Sequence, residues 1–178
     1  MKKGLLKLLF VFVILFTFVS FSYGQHQYIG VDKCKICHKT EKSGNQYGKW
    51  MESKHSKSFQ ALSSDKAKEI GNKAGISNPS ENEKCLSCHS PYAGAAPNLK
   101  ADGVGCEACH GAGNDYKAMN VMKNRDLSIQ NGLIVYANED AIKMHCLTCH
   151  KKDNSYHEVK EFDFKTSWTS IAHPVPSK

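Results

Sequence analysis

The pattern of apolar and polar positions divides the chain sharply near residue 24. Lys2, Lys3 and Lys7 precede an apolar run from Leu8 to Val19 broken only by Thr17, and small residues follow at Ser22-Tyr23-Gly24. A charged start, an apolar middle and a small-residue end are the marks of an export signal, which predicts cleavage after Gly24 and a mature domain over residues 25–178. Leu8 to Phe21 is shorter than the roughly 20 residues needed to span a bilayer, so the competing expectation, a retained membrane anchor, requires the run to extend into Leu5 and Leu6. Beyond the leader, helical periodicity and terminal signals predict helices over 44–62, over 65–73 with Gly75 as a stop, and over 139–150 capped by Asn138. The stretch 126–136 reads as a hairpin around Asn131-Gly132. Clusters of Gly, Pro, Asn and Ser interrupt nearly every other apolar run, and there is no low-complexity tract. The pattern predicts a mainly α fold with extensive loops.

Charge alters this picture little. The full chain holds 24 Lys plus Arg against 17 Asp plus Glu, and removing the three leader lysines leaves 21 against 17. The lysines are spread out and often stand beside acids, as in Lys66 to Glu69, with no stripe of basic and aromatic residues. Nucleic acid is therefore not an expected partner.

The cysteines alter it greatly. All eight fall as Cys34-Lys-Ile-Cys37-His38, Cys85-Leu-Ser-Cys88-His89, Cys106-Glu-Ala-Cys109-His110 and Cys146-Leu-Thr-Cys149-His150. Disulfides in an exported protein need no such order. Zinc ribbons use paired Cys-x-x-Cys knuckles without the trailing histidine. A redox dithiol sits once on a strand-helix unit, and that alternation is absent. Only covalent haem attachment requires histidine at the fifth position every time. With 9 histidines in 178 residues, four coincidental matches have a probability on the order of 10⁻⁵. Two thiols one helical turn apart reach both vinyl groups of one porphyrin edge, and the adjacent imidazole reaches the iron. His38, His89, His110 and His150 are thus the expected proximal ligands of four haem c groups.

Four irons also need ligands on their far sides. Five histidines lie outside the motifs, and His55, His145, His157 and His173 are the expected distal set, whereas His26, two residues into the mature chain, is expected to fray. His145 directly precedes Cys146, on the proximal side of the fourth porphyrin, so any iron it binds must belong to a neighbouring haem. Met51, Met119, Met122 and Met144 are alternative ligands, better read as packing. The mature chain offers fewer than about 40 residues per haem, too few for an ordinary core, so the porphyrins must supply much of it. Trp50, Phe59, Phe162, Phe164 and Trp168 are expected to pack on haem faces and edges.

Three features carry a family resemblance: the Trp50-x-x-Ser53-x-His55 box, the glycine-flanked run from Gly103 to Gly111, and the terminal Ile171-Ala172-His173-Pro174. Together with the four motifs they resemble the cytochrome c-554 family of tetrahaem proteins. The resemblance implies a helical multihaem cytochrome c fold with haems in stacked and perpendicular pairs, a periplasmic location, and electron transfer between redox enzymes and carriers. In that family the second haem can lack a strong distal ligand, which here is the haem of Cys85, Cys88 and His89. The expected function is electron transfer between a redox protein donor and acceptor, a membrane-bound quinol-linked complex being one candidate. The alternative is a small reductase acting on a nitrogen oxide or hydroxylamine at a five-coordinate haem, although the sequence shows no dedicated substrate pocket.

Overall fold

The computed structural model describes residues 26–152, 154, 156 and 161–173. The expected leader therefore lies outside the described residues, and among those described no helix is long and apolar enough to cross a membrane. Ten short α-helices and several 3₁₀ turns make up the regular structure, with no strand among the described residues. In chain order the helices are α1 Val31–His38, α2 Gln46–Glu52, α3 Ser58–Ala61, α4 Asp65–Lys73, α5 Glu83–His89, α6 Glu107–His110, α7 Met119–Met122, α8 Arg125–Gln130, α9 Glu139–Cys146 and α10 Phe164–Ile171. Side-chain caps start most of the longer ones. Ser64, Asn124, Asn138 and Asp163 each accept a backbone N–H of the first turn of α4, α8, α9 and α10, satisfying donors that have no partner inside the helix.

Three elements depart from the pattern-based expectation, each for a local reason. The single helix expected over 44–62 is instead α2, a 3₁₀ turn at His55–Lys57 and α3. It breaks at Ser53, which adopts extended backbone while its hydroxyl donates to Trp50 O at 2.7 Å and accepts from His55 N at 3.2 Å. A serine hydroxyl here competes with the helical ladder. The hairpin expected over 126–136 is a correction: α8 occupies its first half. Asn131-Gly132 ends that helix in place of turning two strands. Gly132 has φ +98°, and Leu133 N donates back to Ser128 O at 2.9 Å, the six-residue closure of a glycine-ended helix. The helix begun by Asn138 stops at Cys146, short of His150. By contrast, α4 spans the predicted residues and is closed beyond Gly75 by the same kind of bond, Ile76 N to Gly71 O at 2.7 Å.

The polypeptide packs few large side chains inside itself. Among the described residues Val31, Leu62, Ile76, Tyr92 and Tyr116 are the larger buried apolar ones, and Ser90 and Ser128 are the largest that are fully buried. Order comes largely from polar clasps between distant segments. Glu107, 3% exposed, accepts the backbone N–H groups of Ile29, Gly30 and Gly113 at 2.6–3.1 Å, and Asp102 accepts that of Val31 at 3.0 Å. These carboxylates thereby hold the entry to α1 against the third motif. A second clasp joins the Trp50–His55 box to the segment before that motif. Trp50 Nε1 donates to Val104 O at 2.9 Å, and Val104 N donates to Ser58 Oγ at 2.9 Å.

Close approach explains the glycines here. Gly103 has φ +67°, and a Cβ on it would lie 2.6 Å from Ser58 Oγ and 2.7 Å from His55 O. A Cβ on Gly105 would collide with the Tyr92 hydroxyl and, at 2.8 Å, with Val31. Gly103→Ala is therefore expected to lower stability by about 1–3 kcal/mol from backbone strain alone. Thermal unfolding of the matured protein followed by circular dichroism measures this, and an unchanged midpoint would show that the clasp tolerates a side chain.

Candidate haem-attachment and ligand site

Helical backbone sets the spacing within the attachment motifs. Cys34-Cys37-His38 lies on α1 and Cys85-Cys88-His89 on α5. Cys106-Cys109-His110 spans the start and body of α6. In the fourth motif the turn persists past the end of α9, with His150 N donating to Cys146 O at 3.0 Å. Each motif therefore brings its two thiols to one side, one turn apart, with the histidine beside them.

The motifs do not adjoin in sequence order. The Cys34 thiol meets that of Cys106, and this contact, ahead of burial, pushes Cys34 far above the usual thiol range. Burial, followed by the neighbouring thiols Cys146, Cys106 and Cys149, pushes Cys109 up to about 11. Cys149 in turn lies against Cys88 and 4.0 Å from Ser87 O. The contacts run from the first motif to the third, from the third to the fourth, and from the fourth to the second. All eight cysteines are unbridged. Among the described residues, no three His, Cys, Asp or Glu side chains form a metal cluster of their own.

Imidazoles meet in two pairs. The rings of His55 and His150 are 6.1 Å apart between centroids, and those of His110 and His173 are 5.8 Å apart. An ion gripped on opposite sides by two imidazoles, at metal–nitrogen distances of about 2 Å, separates the ring centroids by about 6 Å. Burial lowers the proton affinity of His55, of His173 and, to about 4, of His110, which favours the neutral form that binds metal. Second partners orient two further motif rings. His89 Nδ1 donates to Ser58 O at 2.8 Å, and His38 Nδ1 donates to Gln46 Oε1 at 3.3 Å. Both bonds fix the orientation of the ring through Nδ1. His150 instead stacks on Phe162 at 4.7 Å, and ring contacts continue through Phe164 to Trp168.

The surroundings suit an apolar macrocycle. A cavity of about 270 Å³ opens beside Cys85, Cys88 and His89, walled by Ala61, Leu62, Ile70, Ile76 and other residues. Thiols, an oriented imidazole and an apolar wall are the groups that a covalently held porphyrin needs.

Other expected site residues fare differently. His157 lies outside the described residues. His145 packs by Tyr136, ring centroids 5.3 Å apart, and among the described residues neither it nor His38 has another imidazole at the paired spacing. His26 is not frayed: its Nδ1 lies 2.6 Å from Asp115 Oδ2, and its ring covers Gly132. Trp50 is a hydrogen-bonding clasp as well as an aromatic surface. Met51, Met119 and Met144 are exposed. Sequence reasoning missed Ser58, Gln46 and Glu107. Ser and Gln carry no spacing signal, and the buried fate of a glutamate inside a Cys-x-x-Cys loop becomes visible only in three dimensions.

Comparison with known proteins bears on the first three motifs. Residues 33–111 match the family model described as cytochrome c554 and c-prime. The chain is 29% identical over 98 residues to cytochrome c-554 of Nitrosomonas europaea, a stretch covering 49% of this chain and 40% of that protein. The match thus spans less than half the length of that relative. No solved structure matches the chain. The matched residues include the Trp50–His55 box, the Gly103–Gly111 run and three attachment motifs, and over this stretch the chain is similar to the cytochrome c-554 family of c-type cytochromes.

Proposed function

We propose that this cytochrome is an exported periplasmic electron carrier with four covalent haem c groups. Cys34 and Cys37, Cys85 and Cys88, Cys106 and Cys109, and Cys146 and Cys149 form the thioethers. His38, His89, His110 and His150 bind the irons from the proximal side. The observation that carries the reading is the contact among all four motifs together with the two imidazole pairs at 6.1 and 5.8 Å. From these pairs His55 is assigned to the iron of His150, and His173 to the iron of His110. His145 and His157 remain the proposed ligands for the other two irons.

Haem c supplies a one-electron iron couple, and the chain's own residues determine how it is used. Thioether attachment keeps the group on the chain through both oxidation states. Paired histidines hold the same coordination in each, so little reorganisation accompanies electron gain or loss. The order of motif contact, first, third, fourth, second, supports a chain in which each redox centre would lie beside the next. For partners we propose a redox protein donor and acceptor, a membrane-bound quinol-linked complex among them. Lys33, Lys39 and Lys42 flank the first motif, and Lys35 lies within it over the Tyr47 ring, none with an ion pair among the described residues. In contrast, Lys68, Lys73 and Lys100 are matched by Asp65, Glu69 and Glu81. Unmatched lysines beside an attachment motif suit an acidic partner and a salt-sensitive encounter.

The intact mass of the exported protein is expected to equal residues 25–178 plus four haems. A fully matured product lacking one haem would overturn the assignment of the corresponding motif.

His55→Ala and His173→Ala are each expected to leave four haems attached while converting one low-spin iron to high-spin, with new carbon monoxide binding on reduction. Low-temperature paramagnetic resonance of the oxidised protein counts these irons. A variant with its parent's spin count would remove that histidine from the ligand set. The same spectrum of the parent separates a carrier from a reductase working at a five-coordinate haem.

A further inference from the structure

With haems attached at the first and third motifs as proposed above, the buried acids between those motifs gain an electrostatic role. Glu107 is the second residue of the third motif and is almost wholly enclosed. Oε1 accepts Ile29 N at 3.0 Å and Gly113 N at 2.6 Å. Oε2 accepts Gly30 N at 2.8 Å and Ile29 N at 3.1 Å. Every one of these contacts is with an N–H donor, so the site is built for the anion, which only accepts. No lysine, arginine or histidine forms an ion pair with Glu107 among the described residues, whereas Asp65, Glu69, Glu81 and Asp115 all have one at the surface.

Asp102 adds a second, half-buried carboxylate on Val31 N. Both acids reach the same place. After the Cys106 contact and burial, Glu107 and Asp102 are what raise the Cys34 thiol. After burial, they are also the leading causes that raise the buried Tyr92 hydroxyl. The fourth motif has a different charged neighbour, the lysine Lys151 beside Cys149, although burial still raises that thiol.

Reducing a ferric centre adds one electron and removes one positive charge. A fixed anion nearby stabilises the ferric form, and burial without a counter-ion keeps that influence unscreened. We infer that Glu107, assisted by Asp102, holds the haems of the first and third motifs at lower potential than those of the second and fourth. Electron flow along the contact order then runs downhill. One electron leaves the third-motif iron, which becomes ferric, and enters the fourth-motif iron, which becomes ferrous, with no proton exchanged. The first-motif end faces the electron donor and the second-motif end faces the acceptor.

The test is a redox titration of the haem-loaded full-length protein, followed through the shifted haem methyl resonances, which report each haem separately. In Glu107→Gln the ferrous-to-ferric ratio of the first- and third-motif haems should rise about tenfold at fixed solution potential, or ~59 mV, while the other two stay in place. Glu107→Asp disturbs the same hydrogen bonds but keeps the charge, and should remain near the parent. Asp102→Asn should shift the same two haems in the same direction by less. Equal shifts in Glu107→Gln and Glu107→Asp would reduce the effect to packing and overturn the inference, as would four unchanged potentials or four that move together. If Glu107→Gln cannot be loaded with haem, Asp102→Asn decides, and the absence of a shift overturns the inference. A parent protein whose mass lacks a haem at the first or third motif would instead refute the underlying attachment.

Discussion

The fold depends on an unusual electrostatic compromise, the burial of Glu107 without a counter-ion. Taking a carboxylate out of water costs several kcal/mol, and here backbone N–H groups offset that cost. Hydrogen bonds to a charged group contribute about 1.5–3 kcal/mol each, and Glu107 accepts from three residues in two separate segments. The compensation exists only while Ile29, Gly30 and Gly113 converge on it. The first and third motifs are therefore held together by a condition more stringent than apolar contact, which tolerates sliding. Removing an acceptor would strand three donors, and moving the α1 entry would strand the charge. From that fixed point the remaining motif contacts extend through Cys109 and Cys149 to the second motif.

The second clasp accounts for the two most distinctive parts of the family resemblance. The tryptophan-histidine box and the glycines before the third motif are far apart in sequence, but they form a single interface. Trp50 bonds the carbonyl of Val104 and Ser58 its N–H, and Gly103 lies where a Cβ would strike the chain between them. Ser58 then extends the interface to the second motif through His89. The family match spans residues 33–111, the stretch that contains this interface. The fourth motif lies beyond the matched stretch yet meets His55 within it.

The attachment motifs stand out in the linear pattern, whereas much of the architecture does not. Helix α4 was readable because a serine cap and a terminal glycine bracket it. The start of α9 was readable from Asn138, but its end was not, since attachment motifs can continue helical turns without a regular helix. The 126–136 hairpin failed because Asn-Gly serves both two-residue turns and helix ends, and the Asn124 cap with the buried Ser128 hydroxyl decided the contest. The long helix over 44–62 failed at Ser53, where one hydroxyl redirected the backbone. His55 and His173 could be nominated as ligands from scarcity and context. His150 and His110 could be nominated from their motifs, but which histidine faces which could not, because such pairings join residues many dozens of positions apart and leave no periodic trace. His26 was misjudged for a similar reason, since its hold on Asp115 is a long-range contact.

The pairing of His110 with His173 also bears on the order in which the molecule can be completed. His173 follows all four attachment motifs, so on the proposed ligation the third iron cannot acquire its second imidazole until the segment carrying α10 has arrived. Closing so long a loop is slow relative to local helix formation, because its entropy must be lost before any contact is gained. On that ligation the third centre would be the last to close, open to solvent and to foreign ligands until α10 arrives. Closure by α10 would be the event that turns a loaded chain into a sealed one.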